Sequence, residues 1–147
     1  MSRIQLALNV SNLDGAVEFY SKFFKTEPAK VRRGYANFSI EEPPLKLVLI
    51  EGRGAPGSIN HLGVEVFSSD EVSDASHYLS RVGLETRVEE STTCCFAVQD
   101  KVWVDGIDGS PWEVYTVLAD SLSPRGMAGD DTCCVASDDS NAKTACC

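Results

Sequence analysis

The sequence has little positive charge, few histidines and no long apolar run. Of its 147 residues, 13 are Lys or Arg and 22 are Asp or Glu, which gives a formal net charge of -9. Proteins that bind nucleic acids need a basic surface, so this balance argues against a nucleic-acid partner. No stretch approaches the roughly 20 apolar residues of a membrane-spanning helix, and we therefore expect no membrane association.

The chain also lacks both a recognisable secretory signal and spaced cysteines. Gln5 and Asn9 interrupt the short apolar run in MSRIQLALNV, so we expect a cytoplasmic protein. The six cysteines occur only as the adjacent pairs Cys94-Cys95, Cys133-Cys134 and Cys146-Cys147. In a reducing compartment such pairs are available to soft metals or metalloids, although two adjacent cysteines are also commonly just small buried residues.

What is present is a repeat: the order β-α-β-β-β is predicted twice. The first half contains RIQLALNV, a helix that we start at Ser11, and strands near residues 30–33, in YANFSI and in LKLVLIE. The second half contains NHLGVEVF, a helix with the capping box Ser68-x-x-Glu71, and strands in LETRVEE, CCFAVQDKVWV and PWEVYTVL. Since neither half buries a sheet face alone, we predict an α+β fold of two packed βαβββ modules.

The predicted modules span residues 1–53 and 54–119 and together form one domain. Residues 120–147 differ in composition, being rich in Ser, Asp, Gly and Ala. Such a segment buries too little apolar surface to offset the entropy of ordering, so we predict a disordered tail that contains two of the cysteine pairs. Two interpretations of those pairs stay open: they bind thiophilic ligands, or they have no role. The sequence favours neither interpretation.

Superposing the two halves places four polar residues at matched positions. Gln5 in the first strand corresponds to His61, and Lys46 corresponds to Glu113. An imidazole, a carboxylate and an amide oxygen are all metal donors. Taken singly, however, a strand histidine is commonly a satisfied core residue, and Glu113 fits a solvent-facing strand position.

This repeat, with VDGIDGSPWEVY as a turn before a Glu on the last strand, resembles the vicinal oxygen chelate superfamily, which includes glyoxalases and extradiol dioxygenases. The resemblance covers residues 1 to about 119 and implies a shared, metal-lined cup with Gln5, His61 and Glu113 as ligands. Protonated Lys46 stands at a fourth ligand position but has no lone pair to offer. Gln5 stands where related oxygenases have a second histidine, so we expect a weaker metal site.

Within that superfamily, NVSNLDGAVEFYSKFFKTEPAKVR, NHLGVEV and TTCCFAVQDKVWV look like the organoarsenical C–As lyases, which are non-haem Fe(II) dioxygenases. This resemblance implies Fe(II) as cofactor, O2 as co-substrate and cleavage of the carbon–arsenic bond of trivalent organoarsenicals such as methylarsenite. It assigns substrate binding to Cys94 and Cys95, which we expect on a flexible loop formed by EESTT. Beyond the metal ligands it assigns no catalytic residue, and Tyr115 is either a hydroxyl near the metal or a packing residue.

Two other functions fit the same residues. A glyoxalase-like isomerase would use the same cup with another divalent metal, although Lys46 counts against a fourth ligand. A binding protein would sequester an arsenical, cadmium or a drug without turnover. The sequence is compatible with a monomer or a homodimer, because paired modules close a cup within one chain or across two.

Overall fold

The structure is a computed structural model that describes residues 2–122. Its elements, in chain order, are β1 (Arg3–Val10), α1 (Leu13–Phe24), β2 (Lys30–Arg32), β3 (Tyr35–Ile40), β4 (Leu45–Glu51), β5 (Ile59–Glu65), α2 (Ser69–Arg81), β6 (Thr86–Cys94), β7 (Ala97–Asp105) and β8 (Pro111–Asp120). The predicted α+β fold with two βαβββ halves is confirmed. The predicted tail lies outside the described residues except for its first three, of which Asp120 still belongs to β8, and its cysteine pairs lie outside them too.

All eight strands form one sheet in the order β2-β3-β4-β1-β5-β8-β7-β6. The first strands of the two halves, β1 and β5, pair antiparallel at its centre, with Ala7 opposite His61. Each also pairs in parallel with the last strand of its own half, β1 with β4 and β5 with β8. The four strands that carry Gln5, Lys46, His61 and Glu113 are therefore neighbours at the middle of the sheet.

The two faces of the sheet have different chemistry, because side chains alternate along a strand. One face of the sheet packs against the two helices. Its main apolar cluster consists of Leu13, Ala36, Phe38, Ile40, Leu47 and Leu49, all buried, and a second cluster under α2 is built around Val66, Val72 and Val102. Burying one such large side chain contributes about 1.5–3 kcal/mol. The opposite face is free of helices and carries the polar residues of the predicted site.

The helices begin at capping residues. At α2 the predicted capping box is present: the Glu71 N–H donates to Ser68 Oγ (3.2 Å), and the Glu71 carboxylate accepts from the Phe67 N–H (3.0 Å). The predicted start of α1 at Ser11 is wrong, because the cap is Asn12, whose Oδ1 accepts from the Gly15 N–H (2.9 Å). Asn and Ser cap helices about equally well, so composition does not separate neighbouring candidates. Within residues 2–122 neither helix is long and apolar enough to cross a membrane.

The predicted EESTT loop is wrong. Residues Thr86–Cys94 form β6, which pairs antiparallel with β7 and contains one irregularity between Glu89 and Thr92. Ser91 lies inside that irregularity with a positive φ of 47°, as expected for a β-bulge. The β-branched Thr92 and Thr93 continue the strand beyond it, since such residues favour a pleated sheet. Only Cys95 and Phe96 remain in the turn between β6 and β7.

Candidate metal and thiol site

The helix-free face of the sheet encloses a cavity of about 210 Å³. It is lined from both halves of the chain, and every residue predicted for the site is among those that line it: Gln5, His61, Cys94, Cys95, Glu113 and Tyr115. Lys46, the residue matched to Glu113 in the repeat, lines it as well. The fold thus brings residues more than 100 positions apart in the chain to one enclosed space.

Three side-chain atoms converge on one point at the base of this cavity. Gln5 Nε2 lies 2.7 Å from Glu113 Oε1 and 3.0 Å from His61 Nε2, and His61 Nε2 lies 3.3 Å from Glu113 Oε1. The three side chains are almost completely buried, with residue exposures of 4%, 2% and 3%. The Gln5 amide group donates to the carboxylate and bridges it to the imidazole.

The imidazole of His61 is oriented by its neighbour in the chain. His61 Nδ1 lies 2.7 Å from Asn60 Oδ1, an oxygen that only accepts hydrogen bonds, so Nδ1 carries the proton. The unprotonated Nε2 therefore faces Gln5 and Glu113. A metal-binding histidine is typically fixed in this way by a hydrogen bond from its other ring nitrogen.

The two carboxylate oxygens of Glu113 face different partners. Its Oε1 faces Gln5 and His61, whereas its Oε2 accepts a 2.8 Å ion-pair hydrogen bond from Lys101 Nζ. Burial by itself would raise the pKa of Glu113, but the charge of the Lys101 ammonium, together with its hydrogen bond to Oε2, outweighs burial and holds the pKa below its usual value. The carboxylate is ionised and held with one oxygen directed at the other two donors.

The three donor atoms fit one face of an octahedral metal ion. Donors about 2.0–2.2 Å from a metal and at right angles to each other lie about 2.8–3.1 Å apart, close to the observed 2.7, 3.0 and 3.3 Å. Rotating the Gln5 amide by half a turn exchanges its nitrogen for its oxygen, which is a metal donor. Among residues 2–122 no three His, Cys, Asp or Glu side chains form a metal cluster, so a set of three side-chain ligands at this point would include the Gln5 amide.

Lys46 and Tyr115 lie in the same cavity with different surroundings. Burial lowers the pKa of Lys46, and in the described part of the chain its ammonium forms no ion pair. Tyr115 is 1% exposed, and its hydroxyl has no hydrogen-bond partner among residues 2–122. A buried hydroxyl without a partner is uncommon, so Tyr115 offers a polar atom to the cavity in addition to its packing.

The two sulfur atoms of the cysteine pair lie together beside the donors. Cys94 Sγ and Cys95 Sγ are 3.6 Å apart, too far for a disulfide bond between them. Thiolate bonds of about 2.3 Å, the length seen with zinc, meeting at about 90–110° would separate two sulfurs by about 3.3–3.8 Å. Cys94 is disulfide-bonded in the structure, and once it is reduced this spacing is compatible with two sulfurs bonded to one central atom.

The backbone of the turn explains why neighbouring cysteines share a face. Cys95 and Phe96 both have positive φ, 50° and 63°, between the last paired residues Cys94 and Ala97. This is the geometry of a two-residue hairpin turn, and it costs roughly 1–3 kcal/mol at each residue that is not glycine. The left-handed conformation at Cys95 cancels the alternation that would separate the two side chains in a strand.

Contacts with the first half of the chain and with the end of β8 hold this turn over the cavity. The Phe96 carbonyl accepts from Lys30 Nζ (3.0 Å) and from the Ser121 N–H (2.8 Å). The Phe96 ring packs on Tyr35 with ring centroids 5.5 Å apart. Lys30 also forms an ion pair with Asp120 at the end of β8. The cysteine pair thus forms part of a wall shared by both halves of the chain.

Comparison with known protein families identifies the family of this chain. Residues 3–114 match the glyoxalase/bleomycin resistance protein/dioxygenase superfamily. The chain belongs to this superfamily. The match includes both halves of the repeat and all three donors of the candidate metal site, so the predicted vicinal oxygen chelate fold and the family agree.

Three known proteins illustrate what the chain is similar to. Cadmium-induced protein CadI of Mycobacterium tuberculosis is 61% identical over 121 residues, 82% of this chain and 80% of that protein. The trivalent organoarsenical cleaving enzyme of Thermomonospora curvata is 54% identical over 146 residues, 99% of this chain and 96% of that protein, which confirms the resemblance drawn from the sequence. Homoprotocatechuate 2,3-dioxygenase of Arthrobacter globiformis shares the fold, with 19% identity and a TM-score of 0.57 over 84% of this chain and 38% of that one.

The sequence analysis missed several residues of the candidate metal site. Lys101 is 1% exposed, and its ammonium lies 5.2 Å from the centre of the Trp103 ring as well as against Glu113. Asn60 and Gly63 flank the donors. The only signal for Lys101 was a charged residue on the inward face of an apolar strand, two positions before a tryptophan, and that pattern also fits an exposed strand edge.

Proposed function

We propose that the protein is an Fe(II)-dependent, O2-using enzyme that cleaves the carbon–arsenic bond of trivalent organoarsenicals such as methylarsenite. One observation carries the proposal: two sulfurs 3.6 Å apart line the same cavity as the triangle of Gln5, His61 and Glu113 donors. A thiophilic atom with an organic group and a redox-active metal ion would each find their donor set within this one space.

The cysteine pair would bind the substrate. Trivalent arsenic is soft and exchanges its oxygen ligands for thiolates, while its carbon substituent stays attached. With Cys94 and Cys95 as two sulfur ligands, the third position on arsenic keeps the organic group. The sulfurs then fix where the arsenic–carbon bond lies in the cavity.

The three donors would bind the metal on one face and leave its other positions open. Fe(II) bound there would supply the electrons that activate dioxygen. The neighbouring residues would prepare the ligands. Asn60 fixes the His61 tautomer, and Lys101 keeps Glu113 ionised and leaves one of its oxygens for the metal. The buried walls exclude bulk water, with Tyr115 supplying a hydroxyl inside the cavity.

The overall reaction balances without a further reductant. CH3As(OH)2 and O2 would give As(OH)3 and CH2O, and the atoms on the two sides are equal. One oxygen atom ends on carbon and the other on arsenic, while the arsenic–carbon bond breaks. No electron donor beyond the substrate is required.

The Thermomonospora curvata relative supports this assignment of substrate. It is named a trivalent organoarsenical cleaving enzyme, and its similarity to this chain extends over almost the full length of both. The Mycobacterium tuberculosis relative is named for its induction by cadmium, and that name describes no reaction. Localisation in the cytoplasm, where thiols stay reduced, is part of the same proposal.

The test follows arsenic species after a single addition of oxygen. Protein reduced with a phosphine reductant is loaded with Fe(II) anaerobically and mixed with methylarsenite, and chromatography then follows the arsenic products after oxygen is admitted. We expect arsenite to appear only with iron, oxygen and both cysteines. His61→Ala should abolish it, whereas His77→Ala, which changes an exposed histidine on α2, should leave it intact.

Two other outcomes would reject the proposal in favour of the alternatives. Stoichiometric retention of intact methylarsenite under all conditions would make the protein a sequestering module. Turnover of the methylglyoxal–thiol adduct without iron or oxygen would make it a glyoxalase-like isomerase. Equal arsenite release by Cys94→Ser, Cys95→Ser and the unchanged protein would remove the thiol pair from the mechanism.

A further inference from the structure

The imidazole of His61 lies between two oxygen atoms that compete for its proton. Asn60 Oδ1 is 2.7 Å from Nδ1, and Glu113 Oε1 is 3.3 Å from Nε2. A neutral imidazole carries one proton, and an ionised carboxylate is the stronger acceptor of the two. A proton on Nε2 would leave that nitrogen without a lone pair for a metal ion. Metal binding therefore requires that the Asn60 amide present its oxygen, and not its nitrogen, to the ring.

Asn9 determines which end of the Asn60 amide faces the ring. Asn60 Nδ2 lies 3.0 Å from Asn9 Oδ1, so Asn60 donates to Asn9 on one side and accepts from His61 on the other. Rotated by half a turn, the Asn60 amide would set two oxygens against each other at Asn9 and two N–H groups against each other at the ring. Asn9 is 4% exposed, so water has little access to this contact.

The orientation of Asn9 is set in turn by the linker between the two halves, residues 52–58. Asn9 Nδ2 lies 2.9 Å from Ser58 Oγ, which lies 2.6 Å from the Ala55 carbonyl oxygen. A carbonyl oxygen only accepts, so the single hydroxyl proton of Ser58 is donated to it. Ser58 Oγ then accepts from Asn9, and the direction of each later hydrogen bond follows. We call Ser58, Asn9 and Asn60 the amide relay.

Backbone contacts hold the linker against β1. The Asn9 N–H donates to the Ser58 carbonyl (2.9 Å), and the Gly57 N–H donates to the Asn9 carbonyl (2.8 Å). Gly54 packs so closely that a Cβ built on it would lie 2.6 Å from Asn9 Nδ2. The amide relay thus starts from a fixed carbonyl in an exposed linker and ends at a buried ring.

We propose that Asn9 and Ser58 are positioning residues for the metal site, because the amide relay holds the proton of His61 on Nδ1 and keeps Nε2 available to a metal ion. The proposal rests on the proposed function for the metal, but the tautomer is a property of the protein itself. Neither Asn9 nor Ser58 is among the described residues that line the cavity. Their effect reaches the cavity only through the ring.

Nitrogen NMR of the metal-free, reduced full chain tests the proposal. The chain has two histidines, so nitrogen-15 labelling of histidine gives ring signals from His61 and from the exposed His77 alone. At about pH 8.5, well above the reference pKa of histidine, long-range proton–nitrogen spectra show which ring nitrogen carries the proton. We expect His61 to be protonated on Nδ1. Protonation of its Nε2 in the unchanged chain would overturn the proposal.

Removal of one hydroxyl tests the start of the amide relay. Ser58→Ala allows the Asn9 amide to rotate, and we expect a substantial share of His61 to carry its proton on Nε2. Ser58→Thr keeps a hydroxyl and should restore the Nδ1 form. The matched control is Ser80→Ala, which removes an exposed hydroxyl on α2 and should leave the spectrum unchanged. A Ser58→Ala spectrum identical to that of the unchanged chain would reject the relay.

Gly54→Ala and Asn9→Leu test the middle of the relay. Gly54 has no positive φ, so alanine suits the backbone while its Cβ displaces the Asn9 side chain. Both variants should move the His61 proton toward Nε2 and weaken anaerobic Fe(II) binding about tenfold, as expected for groups that orient a ligand. An Nδ1 proton retained in both would reject the proposal. If Asn9→Leu fails to fold, the changes at Ser58 and Gly54, which are not buried, still decide.

The two proposals fail in different ways. A tautomer that changes in Ser58→Ala, combined with no arsenite release by the unchanged chain, would reject the lyase and retain the relay. Arsenite release by the unchanged chain, combined with an Nδ1 proton in every relay variant, would do the reverse.

Discussion

Gly63 occupies a position where a single added carbon should disturb the candidate metal site. A Cβ on this residue would lie 3.0 Å from Glu113 Cγ, 3.1 Å from the Glu113 backbone oxygen and 3.3 Å from Gln5 Nε2. Gly63 has no positive φ and is paired with Glu113 between β5 and β8. Alanine is therefore compatible with the backbone, and the strain falls on the two donor side chains.

The size of the effect follows from the tolerance of metal sites. The backbone oxygen is fixed by the strand pair, so the Glu113 and Gln5 side chains must move by a few tenths of an ångström. Metal–ligand distances are typically kept within about 0.2 Å, and changes to groups that orient ligands cost about 10–100-fold in metal affinity. We expect Gly63→Ala to weaken Fe(II) binding at least tenfold and to lower the free energy of unfolding by about 1–3 kcal/mol through overpacking.

An anaerobic Fe(II) titration and a thermal unfolding curve measure both effects. The matched control is Gly15→Ala in α1, where the added Cβ lies 3.4 Å from Asn12 Cγ, on the face of the sheet away from the cavity. That control should bind Fe(II) like the unchanged protein. If Gly63→Ala folds normally and binds Fe(II) with unaltered affinity, the donors do not meet at the point inferred from their geometry.

Three further predictions concern single residues. Lys101→Met leaves the buried Glu113 carboxylate without its ion-pair partner, so the metal-free protein should lose about 3–5 kcal/mol of stability, and Fe(II) should raise its melting temperature more than that of the unchanged protein; equal shifts would contradict the pairing. Gln5→His replaces an amide by an imidazole, a better ligand for iron, so calorimetry should show tighter Fe(II) binding, and weaker binding would argue against Gln5 as a ligand. Ser68→Ala removes a helix cap and should cost about 1 kcal/mol in denaturant unfolding, while a simultaneous loss of Fe(II) affinity would contradict a purely structural role.

Local sequence patterns were sufficient for the order and type of the elements. The strand YANFSI and the capping box at Ser68 lie where they were predicted, because alternation, β-branched residues and caps act through neighbouring residues. Errors arose where two local signals competed. At α1 Ser11 and Asn12 are both good caps, and at β6 a polar composition suggested a loop although pairing with β7 continues the strand to Cys94.

The candidate site was only partly predictable. Gln5, His61 and Glu113 were predicted as ligands because the superfamily resemblance assigns donors to these positions of the repeat, and the structure places the three side chains together, while metal binding stays a prediction. Lys101 was missed, since its burial depends on where β7 lies relative to β8 and not on its neighbours in sequence. Asn9 was missed for the same reason: its side chain contacts the second half of the chain only when β1 pairs with β5.

The sequence by itself determined the duplicated βαβββ order, the residue types available as donors and the presence of adjacent thiols, because these follow from local propensities and from the residues themselves. The tertiary structure alone decided that an amide, an imidazole and a carboxylate lie within 3.3 Å of each other, and that a left-handed residue places both sulfurs on the cavity side. These distances depend on the pairing of β1 with β5 and on a turn held by residues of the other half. Such long-range contacts leave no periodic signal in a single sequence.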